Sequence, residues 1–399
     1  MIIKPRFILC GGIIALIIVM GIGRFAYTPI LPYMNITKSM AGYLASLNYL
    51  GYLAGTLFVS FFNLRRYESI YLKIFLVLNI FTTLLMGVVS NYTFWYLLRF
   101  FSGFSSGVVF VLVSSIVLQV LKKHNMQIFN GLFYSGVGIG IFLCSILVPF
   151  FISINGWKGS WIGLGCTSLF LSPIVFLSIR SSTENQLLQP SESSQIKNDK
   201  QHPLFIWLIL SYGCEGIGYI ITGTFLVDMV KEVPDLKHFA MLSWAFVGLA
   251  AAPSCIIWSW IANKYGDIKS LYAAYLLQAA GILLPLILPN FIGVLLGALL
   301  FGGTFMGITT LTVSKVQYMS SKNSSKLIGY LTAVYGLGQI IGPIAASILT
   351  KWYGNYVLAQ IFAAAIIGLG LLCLIIGSRK AEKENYHDVF FNDGNDLIP

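Results

Sequence analysis

Long apolar runs separated by short polar segments make up the chain between Phe7 and Ser378. Each run holds roughly 17 residues or more with few charges, which is the length of helix that crosses the hydrocarbon core of a bilayer. The run from Ser270 to Ser314 is long enough for two crossings, and Pro289-Asn290 divides it. The pattern therefore predicts twelve transmembrane helices. The first run continues past Arg24 without the cleavage pattern of a signal peptide, so we expect it to be retained.

The composition agrees with a membrane protein and excludes several other classes. Hydrophobic residues make up 57% of the 399 residues, charged residues only 10%, and the mean hydropathy is +0.81. Soluble proteins carry about 25% charged residues, so a cytosolic enzyme, a disordered protein and a disulfide-knit secreted domain are excluded. The six cysteines lie in apolar runs without a C-x-x-C pair. We therefore expect neither a disulfide framework nor a zinc site.

The basic residues are distributed unevenly among the predicted loops. The chain has 25 Lys and Arg against 14 Asp and Glu, a net charge of +11. With the N-terminus in the cytoplasm, eighteen basic residues lie in cytoplasmic segments and five in outer loops. Cytoplasmic loops of membrane proteins carry such an excess, so we predict that both termini are cytoplasmic. Contact with a lipid bilayer accounts for the positive charge, and no nucleic-acid partner is expected.

The chain divides into two similar halves. The polar segment 181–203 is interpreted as a cytoplasmic linker between an N-terminal six-helix bundle, 1–180, and a C-terminal one, 204–378; a charged cytoplasmic tail, 379–399, follows. Gly21-Ile22-Gly23 recurs as Gly216-Ile217-Gly218, and Gly136-Val137-Gly138 recurs as Gly336-Leu337-Gly338. The predicted fold class is an all-α integral membrane protein with twelve transmembrane helices in two pseudo-symmetric six-helix bundles.

Three motifs resemble those of the major facilitator superfamily. They are Arg99-x-x-x-Gly103-x-x-x-Gly107 in span 4, Gly338-x-x-x-Gly342-Pro343 in span 11, and Asn263-Lys264-Tyr265-Gly266-Asp267 between spans 8 and 9. A further segment, Gly21-Ile22-Gly23-Arg24-Phe25-Ala26-Tyr27-Thr28-Pro29, together with Gly216-Ile217-Gly218-Tyr219, is similar to the YbfB/YjiJ-type branch. The resemblance implies the major facilitator fold and a secondary active transporter. It also implies structural or gating roles for one set of residues: Arg99, Gly103, Gly107, Lys264, Gly266, Asp267, Gly338, Gly342 and Pro343.

Three ionisable residues lie well inside the predicted spans: Arg24, Arg99 and Glu215. A charge at the centre of a bilayer costs about 2.5–3.5 kcal/mol on insertion scales, so such residues normally face a cavity or a partner. Arg24 is suited to hold an anionic substrate group, because a guanidinium binds carboxylate or phosphate through two parallel bonds. An ion pair with Glu215, or a bond to backbone carbonyls near Gly21, Gly23 and Pro29, is the alternative.

Glu215, near the midplane, is predicted to carry a proton, because a carboxyl group there can respond to a substrate that competes for a nearby arginine. The alternatives are a permanently ionised partner of Arg24 or a protonated hydrogen-bond donor. Arg99 is expected to bond neighbouring helices, with a direct role in substrate binding as its alternative.

Helical spacing adds further candidates to the substrate site. Tyr27 is expected on the face of Arg24, and Tyr219 on the face of Glu215. Polar side chains inside spans are additional candidates, with interhelical hydrogen bonds as their alternative. The predicted substrate-binding set is Arg24, Tyr27, Asn48, Glu215, Tyr219 and Gln339. Five further tyrosines lie on helices that line or flank the expected cavity, although single aromatic residues there are more often packing residues: Tyr49, Tyr52, Tyr134, Tyr330 and Tyr335.

No catalytic or metal-binding pattern is present, and the four histidines lie in loops or the tail. We therefore expect no enzyme activity, no metal and no cofactor. The predicted function is secondary active transport of a small organic solute, with an anion favoured, by alternating access and coupled to protons. The alternatives are an exporter of neutral or cationic compounds and a non-transporting receptor or accessory protein of the same fold. The expected location is a bacterial inner membrane, where the protein functions as a monomer.

Overall fold

The computed structural model describes residues 4–62, 64–179, 204–319 and 324–392. Within these ranges, eleven helices are long and apolar enough to cross a membrane. One of them, Gln127–Ser178, is broken at Asn155 and Gly156, which have non-helical backbone angles. Gly156 has φ +55°, a left-handed conformation that glycine adopts without steric cost. The break separates two spans, so the described chain crosses twelve times, as predicted.

The helices are numbered α1–α12 in chain order. Their bounds are α1 Pro5–Tyr33, α2 Lys38–Phe61, α3 Glu68–Val88, α4 Tyr92–Lys123, α5 130–154, α6 157–178, α7 Leu204–Glu232, α8 Ala240–Tyr265, α9 Asp267–Ile287, α10 Phe291–Met319, α11 Ser324–Tyr353 and α12 Val357–Asn392. The predicted linker 181–203 lies outside the described residues. Helix α12 extends to Asn392, so the first part of the predicted tail is helical, and 393–399 lie outside the described residues.

Polar side chains and glycine fix several of the helix ends. Thr37 precedes α2 and its hydroxyl accepts a hydrogen bond from the Met40 backbone N–H at 3.2 Å. Asn91 caps α4 in the same way, accepting from the Thr93 backbone N–H at 2.9 Å. Gly266, with φ +87°, joins α8 to α9. These local signals explain why long apolar runs end where they do.

The two halves repeat the same packing. In the first half α2 packs on α4 and α3 packs on α6; in the second half α8 packs on α10 and α9 packs on α12. The halves meet where α2 contacts α11 and where α5 contacts α8. A shift of six helices converts each of these two contacts into the other. The fold is therefore two pseudo-symmetric six-helix bundles, as the sequence repeat predicted.

Glycines allow the closest helix contacts within each half. A Cβ atom on Gly103 would lie 1.9 Å from the Asn48 carbonyl oxygen, and one on Gly107 would lie 2.4 Å from that of Tyr52, so α2 and α4 touch backbone to backbone. In the second half, Gly338 of α11 approaches the Gly213 carbonyl oxygen of α7 in the same way. Any side chain at these glycines would push the helices apart.

The remaining predicted structural residues lie at similar junctions. A Cβ on Gly342 would meet the Ile217 carbonyl oxygen of α7 at 2.7 Å, and the Pro343 carbonyl oxygen lies against Gly42 of α2, where the halves meet. In the loop after α8, Asp267 forms an ion pair with Lys315 of α10 at 3.9 Å. The Lys264 ammonium lies 5.2 Å from the centre of the Tyr265 ring.

Candidate functional site

The central part of α1, Ile17–Phe25, is a π-helix. Such a wide turn leaves backbone carbonyls without their usual α-helical partners, and it is frequent at functional sites. Side chains of α4 bond these carbonyls. The Gly23 carbonyl accepts from the Ser102 hydroxyl at 3.0 Å and from Arg99 Nη1 at 3.4 Å, and the Val19 carbonyl accepts from the Ser106 hydroxyl at 2.8 Å. The wide turn is thus stabilised by α4, and it carries Arg24 near its end.

Arg24 is buried, with 3% of its surface exposed. Its Cζ atom lies 4.2 Å from the centre of the Tyr52 ring, 4.9 Å from that of Tyr49 and 5.5 Å from that of Phe25. Neither Nε nor Nη2 has a hydrogen-bond partner. Among the described residues, no carboxylate oxygen lies within 4 Å of this guanidinium. The expected alternative of an ion pair with Glu215 is therefore absent from this conformation.

Arg99 holds α4 against α1. Its hydrogen bond to Gly23 leaves Nε and Nη2 without partners, and its Cζ lies 4.7 Å from the centre of the Tyr27 ring. The Tyr27 hydroxyl donates to the Ala41 carbonyl at 2.9 Å. Asn48 donates to the Arg99 carbonyl, also at 2.9 Å. Tyr27 and Asn48, both predicted to bind substrate, are thus engaged with Arg99 and the backbone around it.

Glu215 is fully buried in α7. Its Oε1 accepts a hydrogen bond from Gln278 Nε2 at 3.1 Å, and its Oε2 has no hydrogen-bond partner. The described residues place no basic nitrogen within 4 Å of this carboxyl. Four tyrosine side chains lie near this carboxyl: Tyr212, Tyr219, Tyr275 and Tyr335. In the chain as described, no group of three His, Cys, Asp or Glu side chains is arranged to hold a metal.

Four aromatic rings form a near-parallel column beside the two charges. Tyr335 of α11 stacks on Tyr212 with centroids 4.2 Å apart at 10°, and on Tyr219 at 5.6 Å and 7°. Tyr219 in turn stacks on Phe305 of α10 at 5.8 Å and 5°. Gln339 donates a hydrogen bond to the Tyr219 hydroxyl. Tyr219 and Tyr335 also lie near Arg24 of the other half.

Partial exposure shows where this site is accessible. Tyr52 and Tyr335 are half-buried, whereas Arg24 is buried. Tyr52 lies on the side of α2 opposite the exposed Leu50, and Tyr335 lies on the side of α11 opposite the exposed Leu337. The accessible parts of both rings therefore face the interior between the halves and not the outer surface of the bundle.

The two halves are joined at the end of the bundle where α2 begins. Lys38 forms ion pairs with Asp228 and Glu232 of α7, each at 2.5 Å. Tyr356, before α12, donates a hydrogen bond to Asp228 at 2.6 Å. We call Lys38, Asp228, Glu232 and Tyr356 the Lys38 cluster. Burial raises the pKa of the Tyr356 phenol and Asp228 raises it further, so the phenol retains the proton that it donates.

Further hydrogen bonds join the two halves between the Lys38 cluster and Arg24. The Thr28 hydroxyl donates to the Gly223 carbonyl at 2.6 Å, and the hydroxyls of Tyr49 and Thr224 lie 3.0 Å apart. Lys231 donates to the Pro32 carbonyl at 3.2 Å. The bundle is therefore closed at this end in the present conformation.

Sequence reasoning identified part of this site. Arg24, Glu215, Tyr219 and Gln339 lie around the aromatic column, whereas Tyr27 and Asn48 surround Arg99. Substrate binding by these six residues stays a prediction. The π-helix explains the place of Tyr27, since spacing rules for an α-helix do not hold across a wider turn. The sequence pattern did not indicate the Lys38 cluster, because the seventh apolar run ends at Val227, before Asp228 and Glu232. An available signal was the continuation of helical spacing to acidic residues at positions 228 and 232.

Comparisons with known proteins agree with this architecture. Residues 16–375 match a family model described as "Uncharacterised MFS-type transporter YbfB". A gentisate transporter of Corynebacterium glutamicum is 20% identical over 332 residues, which are 80% of this chain and 74% of that protein. The crystal structure of a mutant of the nucleoside transporter NupG has a TM-score of 0.70 and 13% identity, and the match covers 93% of this chain and 99% of that one. At this identity, the likeness to NupG concerns the fold alone.

Proposed function

The chain belongs to the YbfB-type family of major facilitator superfamily transporters, and from this premise we propose that its cargo is a small organic anion moved together with protons. Membership makes it a multi-pass membrane transporter and not an enzyme. The observation that carries the proposal on the cargo is the buried Arg24 guanidinium beside the tyrosine column. Like that of Arg99, it has two nitrogens without partners and no carboxylate within 4 Å among the described residues.

The energetic cost of Arg24 favours an anionic cargo. A buried charge without a partner is destabilising by several kcal/mol, and such residues inside membranes mark substrate pathways. Arg24 faces aromatic rings whose π-electron faces attract a cation, while its Nε and Nη2 have no hydrogen-bond acceptor. A bound anion supplies the missing charge and accepts the two hydrogen bonds. A cationic cargo would instead be repelled by this group.

A relative adds support from outside this chain. The Corynebacterium glutamicum protein is named a gentisate transporter, and gentisate is a carboxylate. At 20% identity the relative supports an anionic class of cargo for this chain and no particular compound.

Glu215 is the residue that we propose carries the proton. It lies in the half opposite Arg24, fully buried, with Oε2 unpartnered and no basic group within 4 Å among the described residues. A proton is the simplest group that neutralises such a carboxyl. Tyr219 and Tyr335 lie near both Glu215 and Arg24, and the charge of an anion at Arg24 alters the field at Glu215 through space.

Alternating access follows from the two-bundle architecture. We propose that the Lys38 cluster seals the outer end in the present conformation, and that its ion pairs break when the halves rock to open that side. In this orientation both termini are cytoplasmic, and the residues 181–203 connect the halves on the cytoplasmic side. The proposed location is a bacterial inner membrane, with the monomer as the functional unit.

Reconstituted protein tests the cargo and the driving force together. Proteoliposomes with an imposed proton gradient are assayed for uptake of a panel of organic anions, neutral metabolites and organic cations by wild type and Arg24→Gln. Uptake of an anion that depends on both Arg24 and the gradient supports the proposal. Transport of cations or neutral compounds that Arg24→Gln leaves unchanged would indicate the exporter alternative, and no flux of any class would favour an accessory protein.

A further inference from the structure

A row of hydrogen-bonded polar side chains lies inside the second half, between α7, α9 and α12. Three pairs make up this row: Glu215 with Gln278, Ser211 with Tyr275, and Tyr272 with Ser378. The α9 members, Gln278, Tyr275 and Tyr272, follow one another at intervals of three residues, a rise of about 4.5 Å each. The pairs therefore succeed one another along α9, away from the end that holds the Lys38 cluster. We call these six residues the α9 polar row.

The α9 polar row connects a buried carboxyl with the end of a membrane span. Ser211 and Tyr275 are each 1% exposed, Tyr272 is partly exposed, and Ser378 is followed directly by the exposed Arg379. Helix α12 packs closely on the middle pair, because a Cβ atom on its Gly370 would lie 2.9 Å from the Ser211 carbonyl oxygen and 3.0 Å from Cε1 of Tyr275. The row is thus enclosed by three helices until it reaches the end of α12 in the membrane.

The first half has apolar side chains at three positions of this row. The halves are aligned here on the Gly-Ile-Gly segments of α1 and α7 and on the first residues of α3 and α9, which have equal lengths. This alignment pairs three members of the row with buried apolar residues: Ser211 with Leu16, Glu215 with Met20, and Tyr275 with Leu76. Burial of a polar group is costly unless it is hydrogen-bonded. Since the same fold is built with apolar residues in the first half, packing alone does not require the polar row.

The hydrogen bonds of the row leave a donor and an acceptor that suit proton transfer. Ser211 donates to the Tyr275 hydroxyl, so the phenolic hydrogen of Tyr275 is not used in that bond. Glu215 Oε2 has no partner, and Tyr275 lies near this carboxyl. Side chains on an α-helix lean towards the N-terminus of their helix, which in α7 is the direction from Glu215 to Ser211. The carboxyl therefore lies on the side of Glu215 that is nearer to the Ser211–Tyr275 pair.

The row is separate from the interior between the halves, where the proposed cargo site lies. Helix α9 packs on α8, α10 and α12 of its own half. Glu215 is fully buried, so its carboxyl does not reach the interior in this conformation. The other titratable groups near Glu215 and Tyr275 are phenols and thiols: Tyr212, Tyr219, Tyr335, Cys214 and Cys373. No basic side chain is among them.

We propose that protons reach and leave Glu215 through the α9 polar row, by a path that the cargo does not share. The inference rests on the proposed role of Glu215 as proton carrier and adds the route by which it is loaded. During uptake, Tyr275 gives its phenolic proton to Oε2 of the Glu215 carboxylate and takes the proton of Ser211. Tyr272 and Ser378 resupply Ser211 through a bridging water molecule. One proton enters at Ser378 and one arrives at Glu215, and every hydroxyl between them ends neutral.

The rate at which Glu215 gains a proton tests the inference without knowledge of the cargo. The purified full-length protein is mixed rapidly with acidic buffer, and the infrared band of the protonated Glu215 carboxyl, identified by its loss in Glu215→Gln, is followed with time. Tyr275→Phe and Ser211→Ala should slow the appearance of this band about 100-fold or more, the effect of removing a positioned group from a proton transfer. Ser211→Thr keeps the hydroxyl and should retain the wild-type rate. Tyr212→Phe makes the same change at a buried tyrosine of the aromatic column, so it is the matched control and should also retain that rate.

The outcomes separate this inference from the proposed function. A wild type that shows no Glu215 band while it stays folded overturns Glu215 as the proton carrier, and the route with it. A wild-type rate in Tyr275→Phe, or equal slowing in Tyr212→Phe, overturns the route alone and leaves Glu215 to be loaded from the interior between the halves. Slowing in Ser211→Thr as large as that in Ser211→Ala would indicate a packing defect and would likewise overturn the route. If Tyr275→Phe does not fold, the two Ser211 variants decide.

Discussion

Arg24 and Glu215 lie in opposite halves of the bundle and are separated by tyrosine rings instead of being joined as an ion pair. Tyr219 and Tyr335 lie near both groups. Neither charge has a partner of opposite sign within 4 Å among the described residues. Each is therefore available to a different ligand, for which we propose an anion at Arg24 and a proton at Glu215.

Substitution of Arg24 tests the anion site. Arg24→Gln should weaken anion binding by about 10- to 150-fold, the equivalent of losing a charged hydrogen-bonded contact worth about 1.5–3 kcal/mol. Arg24→Lys keeps the charge but cannot form two parallel hydrogen bonds to one carboxylate, so we expect an intermediate loss of anion affinity. Calorimetric titration with the transported anion measures both. Full affinity in Arg24→Gln would show that the anion binds elsewhere.

Substitution of Glu215 tests the coupling of transport to protons. Glu215→Gln keeps an acceptor for Gln278 but cannot exchange a proton. We expect uphill accumulation and the accompanying proton uptake to be lost, while exchange of cargo across the membrane continues. A pH-sensitive dye in proteoliposomes and a counterflow assay measure the two activities. Uphill transport by the variant would eliminate Glu215 as the proton carrier.

The Lys38 cluster should control how often its end of the bundle opens. The Lys38 and Asp228 side chains are 33% and 13% exposed. Because solvent screens such partly exposed pairs, each contributes about 1 kcal/mol or less. Lys38→Met should therefore raise the open population about fivefold. Distances between spin labels at Ser39 and Val233 report this opening.

The charge-reversed pair is the control for that prediction. Lys38→Asp combined with Asp228→Lys restores one ion pair and should return the spin-label distances towards those of the wild type. Distances that stay unchanged in Lys38→Met would mean that the closed end is held by the neighbouring hydrogen bonds, such as that from Thr28 to Gly223.

Glycine packing between α2 and α4 should be sensitive to a single methyl group. A Cβ on Gly103 would lie 1.9 Å from the Asn48 carbonyl oxygen, so Gly103→Ala is expected to destabilise the fold by about 1–3 kcal/mol. Gly368→Ala, in α12 with nothing within 4 Å of the added atom, is the matched control. It should be neutral or stabilising, because alanine favours a helix. Thermal unfolding in detergent compares the two, and equal stability would contradict the close approach.

The sequence by itself determined the number of spans, the duplicated halves and the presence of Arg24 and Glu215 inside the membrane region. These features are local or periodic. The length of an apolar run records the free energy of transfer into lipid, and a charge inside such a run is conspicuous because it is costly. Glycine spacing similarly marked where α2 and α4 touch, since only small residues permit that approach.

Only the tertiary structure decided which of these residues meet. The π-helix in α1 shifts the faces that α-helical spacing assigned, so Arg24 lies against Tyr49 and Tyr52 while Tyr27 lies against Arg99. The Lys38 cluster joins residues about 190 positions apart. The rotation of each helix and its register against its neighbours depend on the packing of many side chains at once. The pattern of hydrophobicity along the sequence does not determine either of them.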